Sequence, residues 1–127
     1  MTHTIIYNPE THTVEIGLQG DIYFEEIKLM YSQALQTAKD NDTFLFLSDF
    51  REAAIRLSTM EIYQLPRLLA DITASIGLSP YKLKRAIISS QRLEDFHFYE
   101  TVSSNRGQSP VKIFQDAEEA KKWLAEK

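Results

Sequence analysis

The residues best suited to chemistry lie in one stretch, LSDFREAAIRLST, from Leu47 to Thr59. It begins as an apolar strand, turns polar at Asp49 and Arg51, and enters a helix through Ser58. Open α/β sheets bind ligands at the carboxyl ends of their strands. An acid there with Arg51 and Arg56 nearby suits an anion or carboxylate site. The simpler assignment is a surface ion-pair cluster that satisfies loop backbone groups. Ser58-Thr59-Met60-Glu61 has the form of a capping box, so Ser58 is first of all the cap of a helix beginning at Thr59.

Other candidates are weaker. His97 and Glu100 lie three apart on an expected helix, but two ligands without a third are a poor metal signal. An ordinary polar helix face explains them, and no metal or cofactor is expected. Phe96, Phe98 and Tyr99 make the same helix aromatic on more than one side. Phe98 falls off the Phe96–Tyr99–Val102 stripe, which marks a partner surface or the lining of an apolar pocket, with Tyr63 on the preceding helix as a companion. Lys82, Lys84 and Arg85 form a short basic cluster that sheet-edge protection explains; an acidic partner or a lipid headgroup is the alternative. Asn105-Arg106-Gly107 reads as a helix end. Nucleotide-loop, nucleophile-elbow and zinc-protease motifs are missing. An enzyme with Asp49 or His97 as general base is therefore the weakest reading.

Composition bounds the class. The 127 residues, 43% hydrophobic and 25% charged, suit one globular domain spanning 1–127. A net charge of −4 argues against nucleic acid as a partner. The chain has no cysteine, which removes disulfides and thiolate chemistry and fits a reducing, cytoplasmic setting. The first residues show no basic region followed by an apolar run, so no signal peptide is expected. No apolar run approaches membrane-spanning length.

The elements that must position these residues follow from periodicity. Thr4–Tyr7 and the alternating run His12–Gln19 predict an antiparallel hairpin across Asn8-Pro9-Glu10-Thr11, with Gly20-Asp21 ending the second strand. Apolar residues from Phe24 to Ala38 recur at helical spacing, predicting a helix over 23–39. Phe44–Leu47 is a continuous apolar run, as in a strand covered on both faces. The helix from Thr59 is expected to kink or restart at Pro66 and to stop at Gly77. A strand around Ala86–Ile88, a helix over 94–106, a strand at Val111–Phe114 and a helix capped by Asp116 and Glu119 complete the chain. The order is β-β-α-β-α-β-α-β-α, an α/β domain with a mixed central sheet flanked by helices.

This order resembles the STAS domain of bacterial anti-sigma-factor antagonists, and more closely the SpoIIAA-like group, also described as STAS/SEC14-like. The resemblance covers essentially the whole chain. Its local marks are TFLFLSDFREA, DFHFYETVSSNRG and VKIFQDAEEAKKWL. It implies a non-enzymatic regulatory or protein-interaction module, working as a homodimer. It also implies a phosphorylated serine at the start of a helix, matching Ser58 with Thr59 beside it. A phosphate there would meet free backbone N–H groups, with Arg56 and Arg51 to pair with it. Leu57 stands where the STAS pattern has an acid, and Met60 follows where a glycine is usual. The SEC14-like comparison implies an alternative: a carrier of a small apolar or lipid-like ligand, held between the sheet and helices that Pro66 would part.

Overall fold

The computed structural model describes residues 2–79, 82–89 and 111–126. The elements are β1 (Thr2–Asn8), β2 (Thr13–Ile22), α1 (Phe24–Asp40), β3 (Leu45–Ile55), α2 (Thr59–Ser75), β4 (Lys84–Ile88), β5 (Val111–Phe114) and α3 (Ala117–Ala125). The five strands form one sheet in the order β1-β2-β3-β4-β5. β1 runs antiparallel to β2, and every later neighbour is parallel. The expected helix over 94–106, with Phe96, Phe98, Tyr99, His97 and Glu100, lies outside the described residues.

Each parallel strand is added on the same side of the last, so right-handed crossovers place α1 and α2 on one face. That face holds the main core. Val14, Ile16 and Leu18 of β2 and Phe46 and Phe50 of β3 meet Leu35 of α1 and Leu69 of α2. The other face is covered by α3, where Leu47, Ala86 and Ile88 meet Ala120 and Leu124. Successive residues of a strand point to opposite faces. Phe46 and Leu47 therefore enter different cores, which explains the unbroken apolar run.

Two strands are longer than their hydrophobic patterns predict. β2 does not end at Gly20-Asp21 but continues to Ile22, which is fully buried. β3 does not end at Leu47 but runs to Ile55. The two extensions pair with each other, Gly20 opposite Ala53 and Ile22 opposite Ile55. Only Leu45–Asp49 of β3 also has β4 alongside. Past Asp49 the strand is held from the β2 side among the described residues, and its polar side chains reach solvent there.

α2 neither stops nor restarts at Pro66; one helix runs through it. Proline removes a single backbone bond, and Pro66 is itself buried beside Leu65, so core contact offsets part of that loss. α2 packs on α1, and Leu65 and Leu69, on either side of Pro66, are buried in the main core cluster. Its end is a Schellman motif: Gly77 N–H donates to Ala74 O at 3.0 Å and Leu78 N–H to Thr73 O at 3.2 Å, with Gly77 at φ +86°. Asp116 caps α3 by accepting from Glu118 N–H at 3.2 Å.

The basic cluster has a different role from edge protection, because β4 is an interior strand. Arg85 is buried beneath Tyr31, its guanidinium 5.7 Å from the ring centroid. Lys84 Nζ donates to Trp123 O at 2.5 Å and Glu126 O at 2.9 Å, closing the negative end of α3. It also lies 4.7 Å from the Trp123 ring centroid. Lys82 lies over Phe44.

Candidate functional site

The polar stretch is organised by a β-bulge. Gly17 of β2 is opposite Asp49 of β3, but the next aligned pair is Gln19 with Glu52. One residue of β2, Leu18, therefore faces two of β3, Phe50 and Arg51. Bulges are rare between parallel strands and re-aim side chains next to functional sites. In a regular strand Asp49 and Glu52 would point to opposite faces. The extra residue brings both carboxylates to the α3 face.

They line an open hollow of about 180 Å³ with Thr4, Gly17, Leu18 and Gln19. Pockets for drug-sized ligands run to about 300–1,000 Å³, so this hollow suits a single side chain or a small headgroup. Gly17 provides its floor. A Cβ there would approach Thr4 Oγ1 to 2.9 Å, inside normal contact.

Asp49 is engaged by Arg51. Arg51 Nε donates to Oδ1 at 3.0 Å, Nη2 to Oδ2 at 2.7 Å, and the Arg51 backbone N–H to Oδ1 at 3.1 Å. The side-chain bonds from Arg51 are the main reason the Asp49 carboxyl is held below its ordinary range, with partial burial acting the other way. The same bonds, and then the Asp49 charge, raise Arg51 above its usual value; Glu52 and Asp116 add smaller contributions of the same sign. Asp49 is thus a carboxylate at neutral pH, and a weak base.

The other sequence candidates lie elsewhere. Arg56 comes after about 20 Å of extended chain and pairs with Asp21, Nε to Oδ1 at 3.1 Å. Its backbone N–H donates to Ile22 O at 2.8 Å. Ser58 Oγ accepts from Glu61 N–H at 3.1 Å while Ser58 N–H donates to Glu61 Oε1 at 2.9 Å, a complete capping box. Thr59 is exposed beside it. The structure therefore joins Asp49 to Arg51 and places Arg56, Ser58 and Thr59 in a second region at the end of the sheet.

That end also carries exposed apolar side chains. The Ile22–Ile55 pair and the Arg56–Ile22 bond bring the starts of α1 and α2 to the same end. Tyr23 stands at the start of α1, and Met60 and Tyr63 are one turn apart on α2, all exposed. Of the sequence-predicted interface residues, Tyr63 is the one that falls within the described residues.

Sequence reasoning did not single out Thr4, Gly17, Gln19 or Glu52. The signal was Gly17, a lone glycine in an alternating strand, which marks a bulge or a close backbone approach. Among the described residues no group of three or more His, Asp or Glu side chains is placed to hold a metal ion. No described helix is long and apolar enough to cross a membrane.

No protein-family model and no curated protein matches the chain. Among solved structures, the chain is similar to an uncharacterised protein of the DUF3478 family with a SpoIIAA-like fold from Shewanella loihica PV-4. The two are 20% identical, the match covers 97% of this chain and 92% of the other, and the TM-score is 0.56. The chain has a SpoIIAA-like fold.

Proposed function

We propose that the protein is a non-enzymatic protein-interaction module of STAS-like type that works as a homodimer and docks a protein partner on the end of the sheet where α1 and α2 begin. The observation that carries this reading is the placement of Tyr23, Met60 and Tyr63. They are three of the five exposed large apolar side chains among the described residues, gathered at one end. Exposed aromatic and methionine side chains are the kind that interfaces enrich. The Arg56–Asp21 pair and the Ser58 and Thr59 hydroxyls border them, giving an apolar centre with a polar rim.

The engaged state of Asp49 supports the same reading. A carboxylate gripped in a bidentate bond by Arg51 and lowered in pKa is poorly set to take a proton. The test is a photo-crosslinking amino acid placed at Met60, with the exposed Lys121 on α3 as control position. One recurrent protein adduct from position 60 and none from position 121 is expected in the native cell. Equal labelling from both positions would contradict the assigned surface.

A further inference from the structure

We infer that the free edge of β1 pairs antiparallel with the β1 edge of a second copy of this chain, forming a continuous ten-stranded sheet. The inference rests on the homodimer reading and assigns its face. Among the described residues β1 is a terminal strand of the sheet. Natural edge strands are blunted by charges, proline, bulges or short length. β1 has none of these: its seven residues, Thr-His-Thr-Ile-Ile-Tyr-Asn, hold no acid, lysine, arginine or proline. Its pairing with β2 is regular from Thr2 to Asn8.

Several features select a second copy as the occupant. An antiparallel pair of identical strands is two-fold symmetric, the geometry of a closed dimer. The register that pairs all seven residues sets Ile5 opposite Ile5 of the second copy, Thr4 opposite Ile6 and His3 opposite Tyr7. Every facing pair is uncharged in a chain whose net charge is −4, so this is a strip on which two copies meet without repulsion. Both sides of the edge also carry a bare apolar group. Ile6 is 60% exposed on the side away from α1, and Leu29 is 56% exposed on α1. Leu29 lies one turn from Gln33, whose Oε1 meets His3 Nε2 of β1 at 2.8 Å, so it belongs to the flank of α1 beside this edge. Dimerisation would add Ile6 to a shared surface on one face and bring Leu29 towards its symmetry mate on the other. One strand edge and one helix flank make an interface smaller than the ~1,600 Å² of a standard complex, so association is reversible.

The test is sedimentation equilibrium of the full chain from micromolar to near-millimolar concentration, with two double variants at exposed positions. Thr4→Lys with Ile6→Lys sets lysine opposite lysine twice and is expected to weaken association by about tenfold. Thr4→Glu with Ile6→Lys sets opposite charges across the same positions and is expected to restore it. Deuterium exchange of the wild-type chain supplies a readout independent of any variant: β1 amides become more protected as concentration rises. A wild-type dimer indifferent to both variants, with no change in β1 exchange, would overturn the β1 face and leave the homodimer standing. A wild-type chain that stays monomeric throughout would overturn the homodimer itself.

Discussion

Replacing Ser58 with alanine decides how much of this hydroxyl is structural. In the wild type, Ser58 Oγ accepts the Glu61 N–H and the Glu61 carboxylate accepts the Ser58 N–H, at 3.1 and 2.9 Å. Ser58→Ala removes the first bond and leaves an end-of-helix N–H to water. Ser58 is exposed, so no buried-donor penalty is added, and the loss should be the usual capping value of about 1 kcal/mol. For a chain of this length that is about 3–5 °C in melting temperature. Ser58→Asp and Ser58→Asn keep an acceptor at the cap and should remain within about 0.5 kcal/mol of wild type. Glu61→Ala removes the reciprocal bond, and the two alanine changes together should cost less than their sum, because each breaks a box the other has already opened. Thermal and urea melts followed by far-UV circular dichroism measure all five variants. A Ser58→Ala protein as stable as wild type, or an aspartate variant as damaged as the alanine one, would refute the cap as the reason for this serine.

The remaining predictions concern other parts of the molecule. Asp49→Asn should cost about 0–1 kcal/mol at neutral pH, the range of exposed ion pairs, measured by urea melts. Because Arg51 lowers the Asp49 pKa in the folded state, this contribution is complete above the unfolded carboxyl value near 3.8 and fades as pH falls through the folded one; an NMR titration of the Asp49 carboxyl carbon should show that lowered midpoint. Lys84→Ala should cost about 1–2 kcal/mol by opening the end of α3, and should shift the emission of Trp123, the chain's one tryptophan. Leu35→Ala, at a site that is 0% exposed, should cost about 2–5 kcal/mol, whereas Met60→Ala on the open end of α2 should stay within about 0.5 kcal/mol.

Much of the scaffold was legible because its signals are local. Alternation in His12–Gln19, the helical stripe from Phe24 to Ala38 and the Ser58–Glu61 box each depend on a few neighbouring residues, and each element is present close to its expected bounds. The extensions of β2 and β3 were not legible, because Gly20-Asp21 and Asp49–Glu52 read as polar breaks. They become strand by pairing with each other, a fact of register rather than of either segment's pattern. At Pro66 the helix does not restart: a single lost backbone bond does not end it, and the proline is itself buried. The hollow depends on Thr4, Gly17, Gln19, Asp49 and Glu52, drawn from three strands and aligned by one bulge, and no local reading assembles them. The reach of Arg56 to Asp21 is also non-local, which separates it from the Asp49–Arg51 pair that it follows in sequence.

The central claim is that the chain acts through protein contacts and not by carrying a small molecule. A native mass spectrum of protein purified without refolding, set against its denatured mass, tests it most directly. The account predicts species at the 14.7 kDa chain mass and at twice that mass, the larger growing with concentration, and neither with a non-covalent adduct. A species that retains a small molecule, released on denaturation, would contradict it and establish the carrier reading in its place.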